Sequence, residues 1–291
     1  MGQVASAVAS ASKTPDAWTG IGLRRPHHEA WRTLRPRVDF LEIHPENYRD
    51  TGSADYADLE TLRHDYAISL HGVSLGLGNA ALDAQALHCL AELTLRLEPA
   101  LVSEHLCWTA HAGRHFHQLL PMPFTQETHD RLVAHIQQVQ DHLKRSLLIE
   151  PIAAYMRYRE DDRDEVDLIN GLAGATGCGV LLDLTNLYVN GRNHGEDAHD
   201  FLNRIDVTAV REIHLAGCHC NQFAGGEMWI DSHDRAVPEA VWALYDAVLA
   251  RMGPRPTLLE RDAALPPLAE LVSEIGRAQR STSGNGRDVA C

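Results

Sequence analysis

The stretch Val38-Asp39-Phe40-Leu41-Glu42-Ile43-His44-Pro45 decides the fold. Leu41 and Ile43 alternate with Glu42 and His44, the period of two that belongs to a strand whose faces meet different surroundings. Glu42 and His44 therefore share a face, and His44 stands at the strand's C-terminal end. Seven other short runs, rich in leucine and β-branched residues, follow the same plan, and nearly all end on a polar residue. They are Thr19–Leu23, Ala67–His71, Leu101–His105, Leu147–Glu150, Gly179–Asp183, Val210–Leu215 and Pro256–Glu260. Helical patterns lie between them. Thr125 caps a run to about Lys144 in which Leu132, Val133, Ile136, Val139 and Leu143 make one apolar face. The others are Ser53 to His64, Asp83 to Leu97, Arg163 to Ala173, Asp197 to Arg204, Pro238 to Met252 with proline in the first turn, and Pro266 to Gln279. Eight strands alternating with helices describe an α/β protein, a (β/α)8 TIM barrel. A doubly wound open sheet shares that alternation. It fits less well, because no GxGxxG follows the first strand and polar residues close nearly every strand.

The barrel is expected to occupy residues 19–279 as one domain, with 1–18 a disordered lead-in and 280–291 a disordered Gly/Ser/Arg-rich tail. The lead-in has neither a basic n-region nor a continuous apolar core, so it does not read as a secretory signal. No apolar run reaches the roughly 18 residues that cross a bilayer. The 291 residues carry 26 Lys plus Arg against 40 Asp plus Glu, a net charge of −14, which argues against a nucleic-acid partner. Six irregularly spaced cysteines with no mark of export are expected to be reduced thiols in a cytoplasmic protein. The 18 histidines are more than structure alone calls for and point to metal.

In a barrel the C-terminal strand ends converge on one mouth. Those ends carry His44, His71, Glu104 with His105, Glu150, Asp183, His214 and Glu260, and the run WIDSHD adds Asp231 and His233. Several imidazoles and carboxylates at one mouth would repel one another without cations. Together they suit Zn, Fe or Mn, and they outnumber the ligands of a single ion. Glu104 and His105 are adjacent on one strand, so only one can face inward, and Glu104 is the expected one. Asp231 and His233, two apart in an extended loop, can reach one ion. His111, His115 and His117 alternate as in an exposed hairpin, more a lid than ligands. Cys218 and Cys220 flank His219, but with no second cysteine pair they read as inert thiols.

The runs FLEIHPENY, SLHGVSLGLG, VSEHLCW, LLPMPFT, GVLLDLTNLYVN, EIHLAGC, DSHD and TLLERD resemble, in that order from Gly20 to about Ala278, the multinuclear non-haem iron-dependent oxidases. The resemblance implies a xylose-isomerase-like TIM barrel with two or three irons of mixed Fe(II)/Fe(III) valence. It implies an enzyme that uses O2 to oxidise cysteine in a ribosomally synthesised precursor peptide, helped by a small leader-binding partner protein. By motif, the metal ligands would be His44, His71, Glu150, Asp183, His214, Asp231, His233 and Glu260, joined by Glu104 and Asn186. Asp231, His233 and Asn186 would also be the catalytic candidates. The chain departs from the family at Glu150-Pro151, where an asparagine commonly follows the glutamate, at Ala216-Gly217-Cys218-His219 for AGH, and at Arg235-Ala236 beyond DSHD. A zinc or manganese hydrolase or isomerase on the same ligands, or a metal-binding scaffold without catalysis, are the alternatives.

Overall fold

The computed structural model describes residues 17–284, residue 112 excepted. In chain order the elements are β1 (Thr19–Gly22), α1 (His28–Leu34), β2 (Phe40–Ile43), α2 (Ala54–Leu62), β3 (Ala67–Gly72), α3 (Ala84–Leu97) and β4 (Leu101–His105), then β5 (Trp108–His111) and β6 (Arg114–Leu120). The chain continues with α4 (Gln126–Leu143), β7 (Leu148–Glu150), α5 (Glu165–Thr176), β8 (Gly179–Asp183), α6 (Leu184–His194), α7 (Ala198–Arg204) and β9 (Val210–Ala216). It ends with β10 (Cys218–Phe223), β11 (Gly226–Asp231), α8 (Glu239–Met252), β12 (Thr257–Glu260) and α9 (Leu268–Gly284).

Eight strands close a barrel in the order β1-β12-β9-β8-β7-β4-β3-β2, with β1 paired in parallel to both β12 and β2. The expected TIM barrel is the observed one, and each of its strands falls on a run picked out in the sequence. Buried on both faces, these strands need short, nearly continuous apolar runs. One face packs against the surrounding helices. Leu41, Ile43, Leu70, Val102, Ile149, Val180 and Leu182 belong to that large core, together with Trp31 and the α4 stripe Leu132, Ile136 and Val139. The other face fills the barrel, where Leu101, Leu148 and Leu181 form a small cluster of their own. Two residues further along the same three strands stand Ser103, Glu150 and Asp183, so the barrel turns from apolar to polar within one pleat.

Caps place the helices as the sequence indicates. Ser53, Asp83, Thr125 and Asp197 accept hydrogen bonds from the first-turn amides of α2, α3, α4 and α7. Pro238 sits at the N-cap position of α8 rather than within its first turn. The helix expected over 163–173 is α5, which starts at Glu165 and runs to Thr176, where Gly177 takes the left-handed C-terminal position at φ +69°. Two departures shape the site. The helix α6 was not anticipated, because it follows β8 with no loop, and the hairpin β10–β11 replaces an expected open loop. The helix α9 reaches Gly284, beyond the expected boundary at Gln279. Trp18, assigned to the lead-in, stacks on Phe40 with ring centroids 6.3 Å apart. The rest of the lead-in, 1–16, and the tail beyond Gly284 lie outside the described residues. Among the described residues no helix is long and apolar enough to cross a membrane.

Candidate metal centre

The C-terminal ends of the barrel strands open into a cavity of about 610 Å³. His44, His71, His105, Glu150, Asn186, Asp231, His233, Glu260 and Asp262 all contribute to its wall. Each side chain is aimed by its neighbours. Pro45 and Pro151 follow His44 and Glu150 directly, which holds those two residues in extended backbone at the end of their strands. His44 donates from Nδ1 to the His71 carbonyl (3.1 Å) and His105 from Nδ1 to the Gly72 carbonyl (2.9 Å). A carbonyl only accepts, so Nδ1 carries the proton in both neutral rings and Nε2 is the atom left to meet a cation, which would displace any proton held there. His71 Nδ1 is 2.7 Å from Ser103 Oγ, and its Nε2 lies 3.1 Å from Glu150 Oε2. Asp183 closes β8 and caps α6 at once. Its Oδ1 accepts from the Asn186 amide at 2.7 Å, while the buried Oδ2 has no hydrogen-bond partner. The same turn brings Asn186 Nδ2 to Glu150 Oε1 at 3.3 Å and to the Pro151 carbonyl at 3.2 Å.

Asp231 and His233 come from the hairpin. Asp231 ends β11 in register with Cys218, and Asp231 Oδ1 is 2.8 Å from His233 Nε2. His233 is left-handed, φ +49°, its amide bonded to the Gly217 carbonyl at 2.9 Å. Its Nδ1 donates to Asp262 Oδ2 at 3.1 Å. His214 is fully buried, with Nδ1 3.3 Å from Glu260 Oε2 and Nε2 3.3 Å from Glu42 Oε2.

Among the described residues, four sets of three bring ligand atoms within 4.8 Å of one another: His71-Glu150-His214, Glu42-His214-Glu260, His44-Glu260-Asp262 and Asp183-His233-Glu260. Glu260 occurs in three of the four, the place of a carboxylate shared between ions. Buried polar atoms left without hydrogen bonds lie in the same place: Glu150 Oε2, Asp183 Oδ2, Asp231 Oδ1, His233 Nε2 and both ring nitrogens of His214. Such atoms are costly to bury unless something binds them. Charge tells the same story. Burial, then the carboxylates of Asp231 and Glu150, push Asp183 well above the usual carboxylate range. Burial would also raise Glu150, but His105 and His71 outweigh it and bring it down to about 2. His105 is opposed by burial and carried up to about 10 by Glu150 and Glu104. A hard N/O donor set this crowded fits divalent or trivalent first-row cations.

The site corrects one expectation. Glu104 does not face the cavity. Its Oε2 accepts from the Leu75 amide at 3.1 Å and its Oε1 from the His105 amide at 3.0 Å, so it ties down the loop after β3 from the outer side of β4. His105, on the inward parity of Leu101 and Ser103, takes the place by the cavity, with Nε2 3.1 Å from Glu150 Oε2. Three groups were not anticipated there. Asp262 carries one of the four sets, Glu212 is buried 3.8 Å from His214 Nε2, and Arg24 pairs with Glu260 at 3.2 Å. Parity turns Glu42 inward, and the structure adds it to the site beside His214. His219 lies apart, 3.9 Å from Asp234, and Cys220 is partly exposed. Burial, then Asp231 and Asp183, push the Cys218 thiol up to about 12. The five cysteines among the described residues are unpaired. His111 and His115 are exposed on the hairpin β5–β6, and the His117 side chain lies outside the described residues.

The closed (β/α)8 barrel, with its multi-ligand candidate centre at the C-terminal mouth, has the fold of the xylose-isomerase-like class of TIM barrel. A solved xylose isomerase-like TIM barrel protein from Mycobacterium smegmatis, in complex with magnesium, superposes with a TM-score of 0.61 over 91% of this chain and 97% of that one, at 12% identity. A D-psicose 3-epimerase solved with D-fructose gives 0.55 over 92% and 98%, also at 12% identity. Within this class, the chain belongs to the MbnB/TglH/ChrH family of RiPP precursor modification enzymes, RiPP meaning a ribosomally synthesised and post-translationally modified peptide; the family model matches residues 18–283. This is the family of multinuclear non-haem iron-dependent oxidases that the strand-end motifs resemble. Relatives include a UPF0276 protein of Bordetella parapertussis, 45% identical over 264 residues (90% of this chain, 91% of the relative). A UPF0276 protein of Vibrio vulnificus is 40% identical over 260 residues, 89% of each chain.

Proposed function

We propose that the protein is an iron-dependent, O2-using oxidase that modifies cysteine in a ribosomally made precursor peptide, delivered with a small leader-binding partner protein. The observation that carries this reading is Glu260, common to three potential ligand sets at the wall of one open cavity, in a chain of a peptide-modifying family. His44, His71, Glu150, Asp183, His214, Asp231, His233 and Glu260 would hold two or three irons, with His105 joining them in place of Glu104. When bound, iron would supply a Lewis acid for the cysteine sulfur and a redox relay through which electrons from the cysteine reach O2.

The chain's own residues prepare that site. Asn186 holds Glu150 by Oε1 and leaves Oε2 facing His71 and His105. The Nδ1–H groups of His44, His105 and His233 are committed to two carbonyls and a carboxylate, which fixes each ring's tautomer and orientation. Tyr155, partly exposed at the rim, accepts a hydrogen bond from the Asp231 amide at 3.2 Å and steadies the end of β11. The cavity volume falls within the usual span for small-molecule sites, roughly 300–1,000 Å³, and suits a short length of peptide.

The test is elemental analysis with Mössbauer spectroscopy on protein purified without chelator from iron-supplied cells. Two to three irons per chain with a mixed-valent signature are expected, and Asp231→Ala or His233→Ala should lose at least one. Zinc or manganese in place of iron would move the assignment to hydrolysis or isomerisation, and full metal in both variants would remove those residues from the site.

A further inference from the structure

We propose that Arg24 is a positioning residue of the metal centre, acting through Asp262 on His233 and directly on Glu260. This rests on the reading above, in which His233 and Glu260 hold metal.

Arg24 lies just past the end of β1, on the opposite side of the chain sequence from the groups it touches, and its side chain is only 10% exposed. It is not part of the cavity wall and reaches the centre through Glu260 and Asp262. Its Nε donates to Asp262 Oδ1 at 2.6 Å and its Nη2 to Glu260 Oε1 at 3.2 Å. One rigid guanidinium thus holds two carboxylates of the same β12 end, a task suited to its planar fork and permanent charge. Each carboxylate then has one oxygen left. Asp262 Oδ2 receives the His233 Nδ1–H at 3.1 Å, which turns Nε2 towards Asp231. Glu260 Oε2 faces His214 Nδ1 at 3.3 Å.

Two further observations agree. The left-handed His233 is held at its carbonyl by the Asp262 amide (3.0 Å), so its backbone and ring are both tied to Asp262. At Gly22, a Cβ would stand 2.8 Å from Arg24 Nη1 and 2.9 Å from Cζ. The glycine leaves the space that the guanidinium fills. With both oxygens of Asp262 engaged, the residue orients a ligand, in the manner of the carboxylates that commonly back metal-bound histidines.

The experiment titrates Co(II) alone into metal-free wild type, Arg24→Gln, Arg24→Lys, Asp262→Asn and His233→Ala. Visible absorption reports coordination, chelator competition reports affinity, and far-UV circular dichroism reports the fold. Arg24→Gln and Asp262→Asn should each weaken one Co(II) equivalent about 10–100-fold and alter its visible bands with the fold retained. Arg24→Lys, which keeps the charge but loses the fork, should recover only part of that affinity. Wild-type affinity and spectrum in folded Arg24→Gln and Asp262→Asn would overturn the proposal. Should Arg24→Gln fail to fold, Arg24→Lys decides, and wild-type affinity and spectrum in that folded variant would overturn the proposal. Wild-type protein that takes up no Co(II) overturns the metal reading itself, and this inference with it, whereas His233→Ala that binds as wild type does removes His233 from the site and overturns this inference alone.

Discussion

Replacing Glu104 and His105 one at a time separates two neighbouring residues into opposite phenotypes. Glu104→Ala removes the acceptor of two buried amides, those of Leu75 and His105. An orphaned buried donor costs about 1–3 kcal/mol, so the pair costs about 2–6 kcal/mol. Glu104 is itself expensive to bury, its pKa raised first of all by burial, which offsets part of the loss and favours the lower end, about 2–3 kcal/mol. At roughly 2–4 °C per kcal/mol for a domain of this size class, Tm should fall by about 4–12 °C. Metal stoichiometry should stay as in the wild type, because neither Glu104 oxygen faces the cavity. His105→Ala should do the reverse, lowering metal affinity about 10–100-fold with a smaller change in Tm. Thermal unfolding and elemental analysis of both variants provide the readouts. A Glu104→Ala protein of wild-type Tm that has lost metal would refute the assignment of inward and outward faces on β4.

Glu165, at the head of α5, has its carboxyl pushed up to about 7 chiefly by burial, although Arg157 lies 3.8 Å away. The folded state therefore keeps a proton that the unfolded chain releases near 4.5, and stability should fall by about 3 kcal/mol as pH rises between those values. Urea midpoints at pH 5 and pH 8 should show that slope in the wild type and not in Glu165→Gln. Thr125→Ala removes the hydroxyl that caps α4 through the Thr128 amide at 3.2 Å, and should cost about 1 kcal/mol by chemical denaturation. Chelation should lower Tm of metal-loaded protein, by an amount equivalent to about 2.7 kcal/mol when the ion had been held a hundredfold above its Kd; an unchanged Tm on verified metal removal would contradict the reading of the crowded carboxylates.

The barrel was legible because each parallel strand is short, apolar and closed by a polar residue, a pattern set by burial on both faces. The inward face was legible wherever parity was clear, as at Glu42 and His44. It failed on β4 because Ser103, Glu104 and His105 are all polar and give no alternation to read. The contact of Ser103 Oγ with His71 settles that face, and only the paired strand supplies it. The helix α6 escaped notice because Asp183 is both strand end and N-cap, leaving no turn residues between β8 and α6. The hairpin β10–β11 escaped because its outer half, Asn221–Glu227, is exposed throughout, Phe223 included, so no buried face imprints a period on the sequence. Arg24 and Asp262 lie 238 positions apart, and their pairing follows from the closure of β1 on β12.

The hairpin divides labour within one chain. Most candidate ligands sit on barrel strands, where any change disturbs a closed sheet, whereas Asp231 and His233 are delivered by a ribbon that grows out of β9 and returns at the Gly217 carbonyl. The outer part of that ribbon, Asn221 to Glu227, is exposed. Its length and sequence can therefore be rewritten without touching the barrel, provided the return at Gly217 is kept. A lineage can exchange the outer ribbon while inheriting the groups at the strand ends intact, and a laboratory can graft at the same seam.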